Sequence, residues 1–121
     1  MRFTKVTNMI IYNDKESGIS KHLFYIQFFW SIRKYDKVIK KCTYLIDNWY
    51  KYENYNNIYG KEMILITKEE LYFIICYSYY KLIDFDNAKK YYDYIMDNNI
   101  CDKLLPWHKE RLDNIYNQIN G

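Results

Sequence analysis

The sequence predicts an all-α fold of antiparallel helical hairpins, and three observations carry that prediction. One proline and three glycines punctuate 121 residues, whereas a many-stranded sandwich needs turn residues every ~8–12 positions. Apolar residues recur at three- and four-residue spacing in several segments, the period of a helix with one buried face. The chain also matches itself when shifted by fifty residues. Half of the residues are apolar and 21% aromatic, enough for one domain over 1–121 with its own core and too apolar for disorder. Asn, Lys, Ile and Tyr abound while Ala88 is the only alanine. That bias is the mark of an A/T-rich coding sequence, so much of the tyrosine is compositional background.

Taken in order, residues 3–13 read either as a helix through Phe3, Val6 and Ile10 or as a short strand through Met9–Tyr12. Residues 20–31 form a helix whose face carries Leu23, Ile26, Phe29 and Trp30. After a turn at Ile32–Asp36 comes a helix over 36–50, with Val38, Cys42, Leu45 and Trp49 as its stripe. Residues 51–66 continue that helix towards Gly60, a candidate C-cap, and Glu62–Ile66 has no assignment. Thr67 and Glu70 make a capping box, in which a hydroxyl and a carboxylate three residues apart satisfy each other's exposed amides. It opens a helix through 71–82, followed by a turn at Ile83–Asp86 and a further helix through Asn98–Asn99. The last helix begins at Pro106, whose missing N–H costs nothing at a first helical position. Its expected stripe is Trp107, Arg111 or Leu112, Ile115 and Ile119.

The fifty-residue shift sets Tyr35–Val38 on Phe85–Ala88 and Tyr44–Asn48 on Tyr94–Asn98, with five identities over positions 35–48. Ile26 and Phe29 fall on Cys76 and Tyr79. The repeated unit resembles the tetratricopeptide repeat, a helical hairpin of about 34 residues. In the better copy, 69–102, Tyr72, Ile75, Cys76, Tyr79, Phe85, Ala88 and Tyr92 occupy the pattern's positions. The other copy, 19–52, has Ile26, Val38 and Cys42 at three of them. Residues 53–68 are then an insertion and the helix over 106–119 a solvating cap. Within such a unit the helices cross most closely at the eighth and twentieth residues, so the resemblance assigns Ala88 to a contact where volume is limiting.

No catalytic constellation is legible. Glycine-rich phosphate loops, G-x-S-x-G and H-E-x-x-H are absent, His22 and His108 stand apart, and carboxylates are mostly neighboured by lysine. The expectation is a non-enzyme without cofactor or metal, with His108 on the surface. Cys42, Cys76 and Cys101 are odd in number and set among apolar residues, which suits reduced, packed thiols in a cytoplasmic protein. No apolar run reaches the length of a transmembrane helix, and the first residues lack the pattern of a signal peptide.

Two surfaces remain. The resemblance implies a concave groove on the first helices of the hairpins, assigning to it Ser20, Leu23, Gln27, Trp30 and Ser31 and then Glu70, Phe73, Tyr77, Tyr80 and Lys81. Such a groove is aromatic and fits an apolar or amphipathic segment of a protein or peptide partner; the lysine–asparagine clamp of some family members is absent. Residues 33–41 are basic: Arg33, Lys34, Lys37, Lys40 and Lys41 against Asp36 give +4, in a chain of net charge +3. This patch is the basis of a second reading, a nucleic-acid-binding accessory protein with tyrosines stacking on bases. The leading expectation is a protein–protein interaction adaptor, able to self-associate as a homodimer, with a role such as a viral or phage factor or part of a regulator.

Overall fold

The computed structural model describes residues 19–50 and 67–120. The readings made above for 3–13 and 51–66 lie outside the described residues. Among the described residues the chain is all-α: α1 (Ile19–Ser31), α2 (Tyr35–Asp47), α3 (Lys68–Lys81), α4 (Phe85–Asp97), a 3-10 turn at Ile100–Lys103, and α5 (Pro106–Asn120). Helices pack in consecutive pairs, α1 on α2 and α3 on α4, while α2 lies against α3 and α5 closes over α3 and α4. One core joins them. Ile26, Leu45, Phe73, Ile75, Ile95 and Leu112 are buried within it, so every helix contributes.

The two hairpins repeat in backbone geometry as well as in sequence. Each first helix ends in a residue with positive φ, Arg33 at 60° and Ile83 at 61°, fifty positions apart. In the first turn the amides of Lys34 and Arg33 donate to Phe29 and Trp30 carbonyls; in the second, those of Asp84 and Ile83 donate to Tyr79 and Tyr80. This crossed pair of bonds is the Schellman closure, which satisfies the last carbonyls of a helix. Both second helices then stop at an asparagine. Asn48 and Asn98 each donate a side-chain N–H to the carbonyl four residues back, Tyr44 and Tyr94, at 2.9 Å. A side chain that competes for a helical carbonyl favours termination. It ends α2 at Asp47, earlier than the expected 50, and leaves Trp49 half-buried in the turn.

The start of α3 follows the capping box, with Thr67 Oγ1 accepting from the Glu70 amide at 3.1 Å. Asp84 caps α4 in the same way, accepting from the Asn87 amide and also from the Asn87 side chain at 2.8 Å. Ala88 proves to be where volume is limiting. Its carbonyl accepts from the Cys76 thiol at 3.3 Å and both residues are fully buried. The equivalent pair of the first hairpin, Ile26 and Val38, is buried too. A larger side chain at 88 would have to push α4 off α3.

The last helix corrects its sequence reading. The face of α5 turned inward is His108, Leu112 and Ile115, with Ile119 half-buried, whereas Trp107 and Arg111 are exposed. His108 is therefore not a surface histidine. Its Nδ1 accepts from the Leu105 amide at 3.0 Å, covering an otherwise free N–H near the start of α5. That bond lets an imidazole occupy an apolar position.

Candidate functional site

A groove of about 390 Å3 opens between α1, α3 and α5, lined by Gln27, Trp30, Ser31, Tyr77, Trp107 and Arg111. Spacing along α1 brings Gln27, Trp30 and Ser31 to one side of that helix, because residues three and four apart are neighbours on its surface. Tyr77 faces them from α3, and its ring stacks on Trp30 with centroids 5.0 Å apart and planes 22° from parallel. Tyr35 closes the back of this pair, meeting the Trp30 ring edge-on at 5.8 Å.

Cations rim these rings. The Arg111 guanidinium lies 5.5 Å from the Tyr77 ring and 5.6 Å from that of Trp107. It also donates a long hydrogen bond to the Tyr77 hydroxyl at 3.4 Å. Lys81 places its ammonium 5.7 Å from the same tyrosine ring. Contact with an aromatic face holds a guanidinium in place without neutralising it. The groove is thus an aromatic wall with fixed positive charge at its edge, able to take an apolar side chain and a neighbouring carboxylate together.

Of the residues assigned to the groove, Gln27, Trp30, Ser31 and Tyr77 line it, and Lys81 stands at its edge. Tyr80 is half-buried beside Tyr77, between it and Phe85. Leu23 and Phe73 do not belong to it. Leu23 is buried in the core, and Phe73 is fully buried beneath Trp107 and His108, at ring distances of 5.7 and 4.6 Å. The pattern assigns Phe73 outward because it considers two hairpins alone, whereas α5 covers that part of α3; Leu23 packs into the core of α1 and α2 instead. Glu70 is likewise claimed by α5, with its carboxylate 4.0 Å from His108 Nε2. The side chain of Ser20 lies outside the described residues.

Trp107 and Arg111 were the groove residues that the sequence reading missed. Their signal was present, since 108, 112, 115 and 119 also follow a helical stripe and leave 107 and 111 on a second face. The histidine at the head of that stripe concealed it.

The basic patch is a second candidate surface. Arg33, Lys34, Lys37 and Lys40 are exposed and Lys41 is half-buried. Lys37 lies 5.8 Å from the Phe29 ring and Lys41 5.1 Å from the Tyr25 ring. No carboxylate among the described residues forms an ion pair with any of these five cations. Tyr35 is not available for base stacking, being buried against Trp30 and Tyr77.

The two buried thiols, Cys42 and Cys76, are chemically quiet. Burial raises Cys76 to about 12 and Cys42 further still, so both remain protonated and packed at neutral pH. His108 is held neutral, lowered to about 4 by burial and then by Arg111. No group of three or more metal-ligating side chains occurs among the described residues. No described helix is long and apolar enough to cross a membrane. Comparison with protein-family models, with curated proteins and with solved structures returns no match.

Proposed function

We propose that this chain is a non-enzymatic adaptor of tetratricopeptide-like hairpins, which binds a segment of a partner protein in the groove between α1, α3 and α5. The observation that carries this reading is the Trp30–Tyr77 stack with Arg111 laid against it. Rigid aromatic rings beside an oriented guanidinium are the chemistry of interface anchors, which combine large contact area with little loss of side-chain freedom. The partner segment presents an aromatic or aliphatic side chain to Trp30 and Tyr77, and an Asp or Glu nearby to Arg111 and Lys81.

Selection from a random displayed-peptide library, with Tyr77→Ala as the counter-selecting bait, tests it. The expected outcome is a consensus pairing an apolar residue with an acidic one, and at least about tenfold weaker binding to Arg111→Ala, the loss of one charged contact. Failure of any wild-type binder to survive the Tyr77→Ala counter-selection, or survivors bound equally by Arg111→Ala, would refute the groove.

The cations of 33–41, without carboxylate partners among the described residues, favour nucleic acid as the second reading. The two differ in their response to salt. Binding to a single-stranded oligonucleotide through the patch falls with a log–log slope of about −0.7 per phosphate contacted. A groove using one or two charges weakens far less. Capture that disappears with salt and with Lys37→Gln/Lys40→Gln would move the function to the patch.

A further inference from the structure

A second cavity lies on the other side of α3. It has a volume of about 310 Å3 and sits between the C-terminal half of α2 and the middle turns of α3 and α4. At about 100° per residue, Tyr72 and Ile75 leave α3 roughly 140–160° away from Tyr77, so this cavity and the peptide groove face opposite ways. Ile46 and Ile75 form an apolar floor, and the rings of Tyr72, Tyr91 and Tyr94 form the walls. Tyr72 and Tyr94 meet at 4.9 Å between centroids.

The rim carries one charge of each sign, Asp47 from α2 and Lys90 from α4, with the Thr43 hydroxyl beside them. Although both line the cavity, Asp47 and Lys90 do not form an ion pair with each other or with any other described residue. The Asp47 carboxylate lines the same cavity as the tyrosines. Burial first, then neighbouring tyrosines and this carboxylate, raise the phenols of Tyr72 and Tyr91. Those hydroxyls stay neutral, leaving Asp47 and Lys90 as the two charges of the site.

Such a rim discriminates between ligand classes. A neutral aromatic molecule fills the floor but satisfies neither charge. An organic cation suits Asp47 and the electron-rich ring faces but meets Lys90; an organic anion meets Asp47. A molecule carrying both charges beside one ring satisfies every group at once, and specificity follows from the mismatch of the others. We propose that this cavity binds a small aromatic zwitterion, a free aromatic amino acid or a molecule of that chemistry. Its ring packs among Tyr72, Tyr91 and Tyr94, its ammonium lies at Asp47 and its carboxylate at Lys90. The cavity is a small-molecule site separate from the peptide groove, and it stands or falls independently of the function proposed for that groove.

Calorimetric titration of the full chain with L-phenylalanine, phenethylamine and 3-phenylpropionate tests the proposal, with amide chemical shifts to locate binding. The expected result is a Kd at or below about 1 mM for phenylalanine, modest because the ligand is small. Each analogue lacks one charge and binds at least about tenfold more weakly, as phenylalanine itself does to Asp47→Asn and to Lys90→Gln. Both substituted residues are exposed, and circular dichroism checks that the variants keep the wild-type fold. Three results would overturn the proposal: no binding at about 10 mM, well above the affinity expected of such a ligand; equal binding of all three compounds; or shifts confined to Trp30, Tyr77 and Trp107.

Discussion

Ile83 occupies a conformation that its side chain opposes. It has φ 61° and is 74% exposed. A β-branched residue in the left-handed region clashes with its own backbone, at a cost of about 1–2 kcal/mol. Nothing in the core repays this locally, and the tertiary fold imposes it because the Schellman closure must turn the chain from α3 into α4 within three residues. Replacing Ile83 by glycine removes the clash but adds freedom to the unfolded chain. The net expectation is a gain of about 0.5–1 kcal/mol, read as a rise in the urea midpoint. Arg33→Gly gives a smaller gain in the same direction, since arginine is not β-branched. Unchanged midpoints in both variants would show that the strain at the turn does not exceed the freedom glycine adds to the unfolded chain.

The lysine ion pairs contribute little to holding the elements together. Lys89–Asp93 is a half-exposed bridge within α4 that solvent screens, and Lys103 reaches Glu69 at 3.4 Å from the 3-10 turn, an exposed contact worth under about 1 kcal/mol. The junction of α3 with α5 is different because His108 is buried there, 4.0 Å from Glu70. At that separation the contact is too long to be a hydrogen bond. Burial disfavours the charged form of both groups: it lowers the histidine to about 4 and raises the glutamic acid, against the pull of Thr67. A histidine that titrates near 6.5 when unfolded and near 4 when folded binds its proton more readily in the unfolded chain. Its contribution is complete above about pH 6.5 and is lost as the pH falls towards 4, up to about 3 kcal/mol at the acid end. Glu70 acts in the opposite sense. Its raised folded value contributes stability at the acid end that is lost as the pH rises through that value. Net stability therefore declines from pH 6.5 to 4 by less than the histidine alone dictates. In chemical denaturation across this range, His108→Asn flattens the decline; an unaltered slope would remove His108 as its origin.

Across the whole molecule, α5 does more than cap an array. Leu112 and Ile115 enter the core, while Trp107 and Arg111 from the same helix complete the groove. Core packing and groove geometry are thereby coupled through one element. Leu112→Ala opens a cavity and costs about 2–5 kcal/mol. It is also expected to weaken the peptide binding proposed for the groove, although residue 112 is absent from it. A variant that is destabilised yet binds selected peptides as tightly as wild type would show that α5 docks independently of that contact.

How much of this was legible beforehand differs from residue to residue. The hairpins were, because helical period, the Thr67 cap, Pro106 and the fifty-residue repeat are local signals, and each hairpin buries a stripe that spacing alone reveals. Ala88 was legible for the same reason, as a volume exception in a sequence that otherwise avoids alanine. Trp30 and Tyr77 could be placed on helix faces, but not against each other. Phe73 and Leu23 could not be told from groove residues, since both lie on the face that the pattern turns outward and only packing decides what covers it. Arg111 read as part of a buried stripe, and His108 as surface, because an imidazole can face inward there only once its Nδ1 accepts from the Leu105 amide, a contact that spacing does not reveal. The sequence by itself determined which segments are helical and where they turn, through propensity, capping and periodicity within a few residues. Only the tertiary structure decided which exposed faces meet, because a groove is made of residues as far apart as 27, 77 and 111, whose juxtaposition depends on how whole helices rotate and pack.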